Sequence, residues 1–411
     1  MRLYYTDSFL YEFDAKVLNV IPPSSAENRP AVILEQTAFY PTSGGQIFDT
    51  GSLTPKSSEG AKAAHVIEVV EREDGVVLHY LDDLSAIENG STVHGTVDAA
   101  RRRDHMQQHS GQHVLSAAFV RLFNLPTVSF HMGDDYCSID LDTKALSAQQ
   151  LENAERLANE IILEDREVSI RFVTQEEARN LGLRKLPPLE RDKLRLIDIH
   201  DFDLTACGGT HVRHTGQIGC ILLRKTEKTR QGIRVEFVCG QRAVRTARRD
   251  YTTLAEAAGL YSAHLWDLPQ QIRRSQEEAR AERKSRERLL EELAEQHAMR
   301  VLAETPTNHG RKLLVLGSVE RDLNYIKLLA QKLTRLEPNV VVLLGTASAP
   351  TSLVFAQSSG QPFDMGALMK QALSQLGGRG GGSKDMAQGG PQHAARIPEV
   401  LASLASRIAA E

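Results

Sequence analysis

The sequence predicts an α+β protein with an N-terminal β-barrel-like domain, an α/β domain that carries a metal site, a long helical hairpin and a C-terminal α/β domain. Short alternating runs separated by turn residues fill the N-terminal quarter of the 411 residues, as in small barrels. A proline-poor stretch rich in Arg, Glu, Ala and Leu follows later, which is typical of long helices. Apolar runs then alternate with helical runs, the pattern of an α/β domain. These changes divide the chain into residues 1–97, 98–240, 241–306 and 307–411.

The first two domains contain the clearest local signals. In the first, strand-like runs at 31–34 and 76–80 are separated by Gly and Pro turns. In the second, apolar residues and histidines recur every three or four positions over 101–123, which predicts a helix. A second helix is expected at 147–164, where Ser147 and Gln150 match a capping box. Strands are expected at 168–173, 194–199, 219–225 and 233–238.

The last two domains are predicted more coarsely. Two long helices are expected in 241–306, and an antiparallel hairpin would turn near 262–269. Apolar runs at 312–317, 339–345 and 352–357 are the expected strands of the C-terminal domain. Helices are expected at 323–336, 365–376 and 398–410.

Bulk composition excludes several classes of protein. A hydrophobic content of 41% with 25% charged residues is that of an ordinary globular chain. No apolar run approaches the length of a membrane span, and the N-terminus lacks a signal-peptide pattern, so we expect a cytoplasmic protein. Four cysteines are too few for a disulfide framework in a chain of this length, which leaves them as core residues or metal ligands.

Two short motifs carry the sharpest chemistry. His109 and His113 lie one turn apart on one face of the predicted helix. Cys207 and His211 flank a turn that Gly208 and Gly209 allow to be tight. Either motif alone could be a surface histidine pair or a glycine-rich turn, but together four nitrogen and sulfur ligands favour Zn²⁺.

Two neighbouring positions refine this interpretation. His105 lies one further turn back on the same face and could be a substitute ligand or a residue of the pocket rim. A zinc protease would need glutamate after the first histidine as a general base, and Ser110 stands there instead. The protease class is therefore excluded.

Longer stretches around these motifs resemble a known family. Residues 102–113 and 206–212 resemble the editing domain of alanyl-tRNA synthetases, and they are closer still to the free-standing AlaX-type editing proteins. Residues 39–46 and 215–219 agree with the same family. The glycine-rich run at 377–390 resembles the signature of the synthetase C-terminal domain, which also occurs in DHH-type phosphoesterases; the Asp and His clusters of a phosphoesterase are not evident. Ser110 replaces the family's usual threonine, and Ser383 interrupts its glycine-lysine-proline pattern.

The resemblance implies a long-form, ATP-independent trans-editing hydrolase without an aminoacylation domain. Its substrates would be mischarged tRNA(Ala), chiefly seryl- and also glycyl-tRNA(Ala), and its role translation fidelity. Serine differs from alanine by one hydroxyl, so a second site that hydrogen-bonds this group can discriminate where size cannot. Thr37 and Thr42 are candidates for that contact, although Thr37 could instead be a solvent-facing strand residue.

The implied zinc could polarise the ester, activate water or only orient substrate. Because four protein ligands would close the site, His211 or Cys207 could be loosely held, or the metal could become five-coordinate. Gln46, Gln112 and the amides of Gly208 and Gly209 are candidates for oxyanion or water contacts, and Gln46 could equally be a turn residue.

The tRNA partner would be bound by local basic groups, because the net charge of −4 gives no global attraction. In the helical segment, arginines alternate with glutamates, which fits an RNA-binding face or a coiled coil equally well, and this segment or the C-terminal one could mediate a homodimer. From another functional class, the chain could be a zinc-stabilised tRNA-binding module without activity. The residues expected to contact substrate or tRNA are Arg101, Arg102, Arg103, Gly44, Gly45, Gly208, Gly209, Arg379 and Lys384, the last two around a glycine-rich loop whose amides could meet phosphates or which could be a plain turn.

Overall fold

The computed structural model describes residues 1–23, 29–56, 62–84, 87–184, 193–230, 232–346 and 349–410. The chain forms two compact units, Met1–Glu256 and Ala257–Glu411. The boundary therefore falls inside the segment 241–306 that was expected to be helical. Among the described residues, no helix is both long enough and apolar enough to cross a bilayer.

The first unit begins with a closed six-stranded antiparallel barrel, which confirms the predicted β-barrel-like N-terminus. The strand order around the barrel is β1-β2-β5-β4-β3-β6, and apolar side chains that alternate along the strands fill its interior. Strands are β1 Glu12–Ile21, β2 Ala31–Leu34, β3 Gly51–Pro55, β4 Ala64–Glu71, β5 Val77–Leu81 and β6 Thr92–Val97.

The central helix of the unit is α1, Ala99–Phe123. Asp98 caps its first turn by accepting hydrogen bonds from the amides of Ala100 and Arg101. Asn124 ends it in the left-handed conformation, φ 53°. Most residues of this helix are buried, because strands of two sheets and a second helix pack against it. Polar side chains on this helix must therefore find partners inside the protein.

The two sheets beside α1 are antiparallel, with strand orders β12-β13-β8-β7 and β11-β10-β9. The predicted capping box of Ser147 and Gln150 is confirmed at the start of α2. These elements are β7 Thr127–Met132, β8 Cys137–Leu141, α2 Ala148–Leu163, β9 Val168–Val173, α3 Gln175–Asn180, β10 Leu194–Ile199, β11 Asp203–Ala206, β12 Ile221–Lys228 and β13 Ile233–Cys239.

Two long helices, α4 Gly240–Leu260 and α5 Leu268–Glu304, occupy the segment expected to be helical. Their packing as a hairpin stays a prediction. In the second unit, β14 and β15 are parallel and the other pairs of the five-stranded sheet are antiparallel, in the order β14-β15-β16-β18-β17. The elements are β14 Lys312–Val319, α6 Leu323–Leu336, β15 Val340–Thr346, β16 Leu353–Gln357, α7 Met365–Leu376, β17 Gly378–Gly382, β18 Met386–Pro391 and α8 Ile397–Ala410.

The glycine-rich segment near the C-terminus differs from the loop that the sequence suggested. Residues Gly378–Gly382 form strand β17, whose backbone pairs with β18. A Cβ on Gly380 would lie 2.5 Å from the carbonyl oxygen of Gln388 and 2.7 Å from Cδ1 of Leu373 on α7. The glycine is therefore explained by the close packing of α7 on the hairpin. Arg379 and Lys384, on the strand and in the turn after it, are both exposed.

Candidate metal centre

Four side chains from two distant parts of the first unit converge. His109 and His113 come from α1, and Cys207 and His211 follow β11. One ligand atom from each residue lies within 4.8 Å of the ligand atoms of the other three. Cys207 Sγ is 3.4 Å from His109 Nε2 and 3.3 Å from His211 Nε2. One thiolate and three imidazoles at this spacing suit a tetrahedral zinc ion.

The turn between Cys207 and His211 is shaped by its glycines and by β10. A Cβ on Gly209 would lie 2.2 Å from His109 Cε1, so only glycine lets the turn approach the histidine ring. The amide of Gly209 donates to Cys207 Sγ at 3.4 Å, which removes it from the predicted oxyanion contacts. Arg195 on β10 donates to the carbonyl of Cys207 at 2.7 Å and fixes the start of the turn.

Each histidine of the cluster has a polar group at its Nδ1 atom. Gln46 Oε1 is 2.7 Å from His109 Nδ1, and Ser110 Oγ is 3.1 Å from His211 Nδ1. Asp203 Oδ2 is 3.5 Å from His113 Nδ1. Partners at Nδ1 fix the ring orientation and direct Nε2 toward the point where a metal would sit.

The electrostatics favour the metal-binding protonation state at Cys207 and His211 but not at His113. Burial raises the pKa of the Cys207 thiol, but His109 and His211 more than offset it and hold that pKa well below its usual range. Burial lowers the pKa of His211 to about 3, although the neighbouring Cys207 raises it. Burial also lowers the pKa of His113, but Asp203 and Cys207 outweigh burial and raise it overall. A thiolate beside neutral imidazoles is the form that binds metal.

Gln46 is fully buried, and the hydrogen bonds of its carboxamide connect separate parts of the fold. Its Oε1 accepts from the amide of Thr210 at 3.1 Å as well as contacting His109, and its Nε2 donates to Thr210 Oγ1 at 2.8 Å. Gln46 therefore joins the loop of Gly44 and Gly45 to the turn before His211. Gln112, the other glutamine candidate, donates to Ser116 Oγ at 2.8 Å on the same helix.

The two threonine candidates lie in different surroundings. Thr37 is only 3% exposed, so the alternative of a solvent-facing strand residue is wrong. Its hydroxyl lies 2.8 Å from His79 Nε2 inside the barrel and accepts from the amide of Phe39. Thr42 is exposed, next to the loop of Gly44 and Gly45.

The three consecutive arginines at the start of α1 differ in their exposure. Arg102 is 0% exposed, forms an ion pair with Asp49 and donates to the carbonyls of Ser8 and Ala38. Its predicted contact with tRNA is therefore withdrawn, because a buried guanidinium with filled donors cannot reach a ligand at the surface. Arg101 is half-buried and donates to the carbonyl of Phe48 at 3.0 Å, whereas Arg103 is exposed.

His105 does not join the four-residue cluster within the described part of the chain. Its ring is 1% exposed, and Nδ1 has no hydrogen-bond partner there; Asp49 Oδ1 is 3.9 Å away. Burial and nearby arginines lower its pKa to about 3. Its position outside the cluster argues against a substitute ligand, and its burial argues against a residue of an exposed rim.

Several residues of the centre carried no signal strong enough to be singled out from sequence. Ser110 and Thr210 lie inside the two ligand motifs, so their positions alone could have suggested supporting roles. Asp203 lies four residues before Cys207 and Arg184 lies in a separate segment, and only the fold brings Asp203 to His113.

Three family models match the chain. The model described as "tRNA synthetases class II (A)" matches residues 6–101, and "Threonyl and Alanyl tRNA synthetase second additional domain" matches 194–235. The second range contains Cys207 and His211. The model of the DHHA1 domain matches residues 310–410, within the second unit.

Curated relatives match over nearly the whole chain. The alanine–tRNA ligase of Pyrococcus abyssi is 32% identical over 98% of this chain, and that of Pyrococcus furiosus is 34% identical over 94%. This chain spans 43% and 41% of those ligases, less than half their length. The alanyl-tRNA editing protein AlaX-L of Pyrococcus horikoshii is 30% identical, and the match covers 94% of both chains.

Proposed function

This chain belongs to the family of AlaX-type alanyl-tRNA editing proteins, and from that premise we propose that it is an aminoacyl-tRNA deacylase that hydrolyses mischarged tRNA(Ala). Its substrates are chiefly seryl-tRNA(Ala) and also glycyl-tRNA(Ala), and it works in the cytoplasm beside the charging enzymes. The proposal rests on one observation. In this chain, which is a relative of AlaX-L, the ligand atoms of four side chains lie within 4.8 Å of one another.

His109, His113, Cys207 and His211 would hold a zinc ion, because their donor set and their oriented Nε2 atoms fit that metal. When bound, zinc would supply a Lewis acid for the ester carbonyl or for a water molecule. The chain's own residues keep the site rigid: Gln46 orients His109 and Ser110 orients His211. We accordingly propose Gln46 as a positioning residue.

Substrate contacts are assigned to groups near the centre that are exposed. The loop of Gly44 and Gly45 is tied to the centre through Gln46, so we propose that it contacts the aminoacyl end of the tRNA. Thr42, at the start of this loop and exposed, is our candidate for the hydroxyl of serine. The hydroxyl of Thr37 already has its partners in the barrel.

Contacts with the rest of the tRNA are assigned to exposed cations. Arg103 lies at the start of the helix that carries His109, and Arg379 and Lys384 lie in the second unit. Such groups attract the phosphate backbone without sequence preference. The homodimer expected from the helical or C-terminal segment remains part of the proposal.

The decisive experiment follows ester loss from serine-, glycine- and alanine-charged tRNA(Ala) with metal-replete protein. We expect release of serine and glycine well above the uncatalysed rate and sparing of alanyl-tRNA(Ala). If tRNA binds but no ester is released faster than without protein, the chain is a zinc-stabilised binding module and the hydrolase proposal fails.

A further inference from the structure

We propose that Asp203, held in place by Arg184, is a positioning residue that anchors His113 as a metal ligand. The proposal rests on the zinc site of the proposed function and adds a carboxylate to it. Asp203 is the first residue of β11, which ends just before Cys207. One short segment therefore supplies both the candidate ligand Cys207 and the carboxylate that supports His113.

The contacts around Asp203 are those of a carboxylate with a fixed orientation. It is 7% exposed as a residue, and its side chain is 3% exposed. Arg184 Nε donates to Oδ1 at 2.8 Å and Arg184 Nη2 donates to Oδ2 at 3.0 Å. This bidentate pairing fixes the carboxylate with Oδ2 3.5 Å from His113 Nδ1.

Within the described ranges, His113 Nδ1 has no hydrogen-bond partner, so the Asp203 carboxylate is the group that can hold a proton on it. A proton on Nδ1 leaves the lone pair of Nε2 free for a metal, and the negative charge makes the ring a stronger ligand. A buried carboxylate also needs compensation, which Arg184 supplies.

The three histidines are thus supported unequally. His109 is backed by a neutral carboxamide and His211 by a neutral hydroxyl, whereas His113 is backed by a charge. We therefore place the strongest outer support of the centre at His113. The competing interpretation is that Asp203 and Arg184 form a purely structural ion pair that ties the segment after α3 to β11.

The test measures zinc affinity of the full-length protein by competition with a chromogenic chelator. Asp203→Asn preserves the shape of the side chain and removes its charge, and we expect affinity to fall about 10- to 100-fold. Asp203→Glu restores the charge and should recover part of the loss. Asp198→Asn is the matched control, because it removes the half-exposed carboxylate that pairs with Arg171 on the same sheet and touches no ligand.

A second readout separates positioning from structure. In cobalt-substituted protein, Asp203→Asn should shift the visible absorption bands, which report the ligand field, whereas Asp198→Asn should leave them unchanged. If Asp203→Asn fails to fold, Arg184→Lys is the variant that tests the proposal. Loss of its bidentate contact with Asp203 should weaken zinc binding several-fold.

The outcomes distinguish this inference from its premise. Wild-type protein that binds no zinc would remove the metal site itself. If wild-type protein binds zinc and folded Asp203→Asn shows unchanged affinity and spectra, only the role of Asp203 is overturned. If Asp203→Asn does not fold, unchanged zinc affinity in Arg184→Lys has the same meaning.

Discussion

Gln46 and His109 are 63 positions apart in sequence, yet Oε1 of the glutamine lies 2.7 Å from Nδ1 of the histidine. The glutamine follows a glycine turn attached to the barrel, and the histidine lies in the middle of α1. This contact makes the N-terminal domain part of the candidate metal centre, because one of its four candidate ligands contacts a loop of the barrel domain.

Replacement of Gln46 should therefore weaken the metal centre from a distance. Gln46→Ala leaves His109 Nδ1 and the amide of Thr210 without their partner in a buried place, which costs about 1–3 kcal/mol. We expect zinc affinity to fall about 10-fold, measured by chelator competition. The control is Gln36→Ala, a half-buried glutamine just after β2 whose amide donates to the carbonyl of Asp14. Equal affinities in the two variants would contradict the positioning role.

Removal of a ligand should abolish metal and activity together. Cys207→Ala or His113→Ala should reduce zinc content below one equivalent and slow deacylation of seryl-tRNA(Ala) in proportion. Metal content is measured by atomic emission on the same samples that are assayed. Cys220→Ala, a half-buried cysteine outside the cluster, should change neither. Full activity in a metal-free ligand variant would take zinc out of the mechanism.

Arg102 and Arg103 are neighbours in sequence, but their replacement should change different properties of the protein. Arg102→Ala strands the buried carboxylate of Asp49 and should reduce the free energy of unfolding by about 3–5 kcal/mol in urea titrations. Arg103→Ala, at an exposed position, should change stability by less than about 0.5 kcal/mol and should raise KM for charged tRNA. The assignment fails if the exposed variant is the unstable one.

Stability should depend on pH through His79 in the barrel. Burial lowers the pKa of His79 to about 4, so between about pH 6.5 and 4 the unfolded chain binds a proton that the folded chain does not. The contribution of the neutral ring is complete above about pH 6.5 and is lost on acidification, by at most about 3 kcal/mol. Denaturation of His79→Gln over this range should show a shallower pH dependence, whereas exposed His65→Gln should follow wild type.

Removal of the second unit should affect binding more than chemistry. A chain that ends at Glu256 keeps the Arg242–Asp104 ion pair between α4 and α1 and all four candidate ligands. We expect a higher KM for charged tRNA with kcat nearly unchanged, measured by steady-state deacylation. If kcat/KM at low substrate equals that of the full chain, the second unit does not bind the tRNA.

Local periodicity was enough to predict some elements and not others. Helices α6 and α7 were predicted with the bounds that the structure shows, because apolar residues recur on one face and caps mark their ends. Strand β8, Cys137–Leu141, was missed although its residues alternate between apolar and polar, and the structure buries all five of them, including Ser138 and Asp140. Its buried Asp140 is paired with Arg234 of β13, a contact that no local pattern reveals.

The candidate site was likewise predictable only in part. Spacing in the sequence was sufficient to select the four candidate ligands that the fold brings together. The supporting roles that we propose for Gln46 and Asp203 could not be predicted from the sequence, because each depends on contacts between separate elements. Arg102 was misassigned for a related reason: a run of arginines does not reveal that one of them faces a buried aspartate.

The Arg102–Asp49 pair also limits how the barrel can be exchanged between relatives. The arginine belongs to α1 and the aspartate to the segment that leads into β3, and both are completely enclosed. A chimera that grafted a foreign barrel lacking this aspartate would leave an uncompensated cation inside the protein. Successful grafts must transplant the carboxylate with the strands or replace both members by apolar residues.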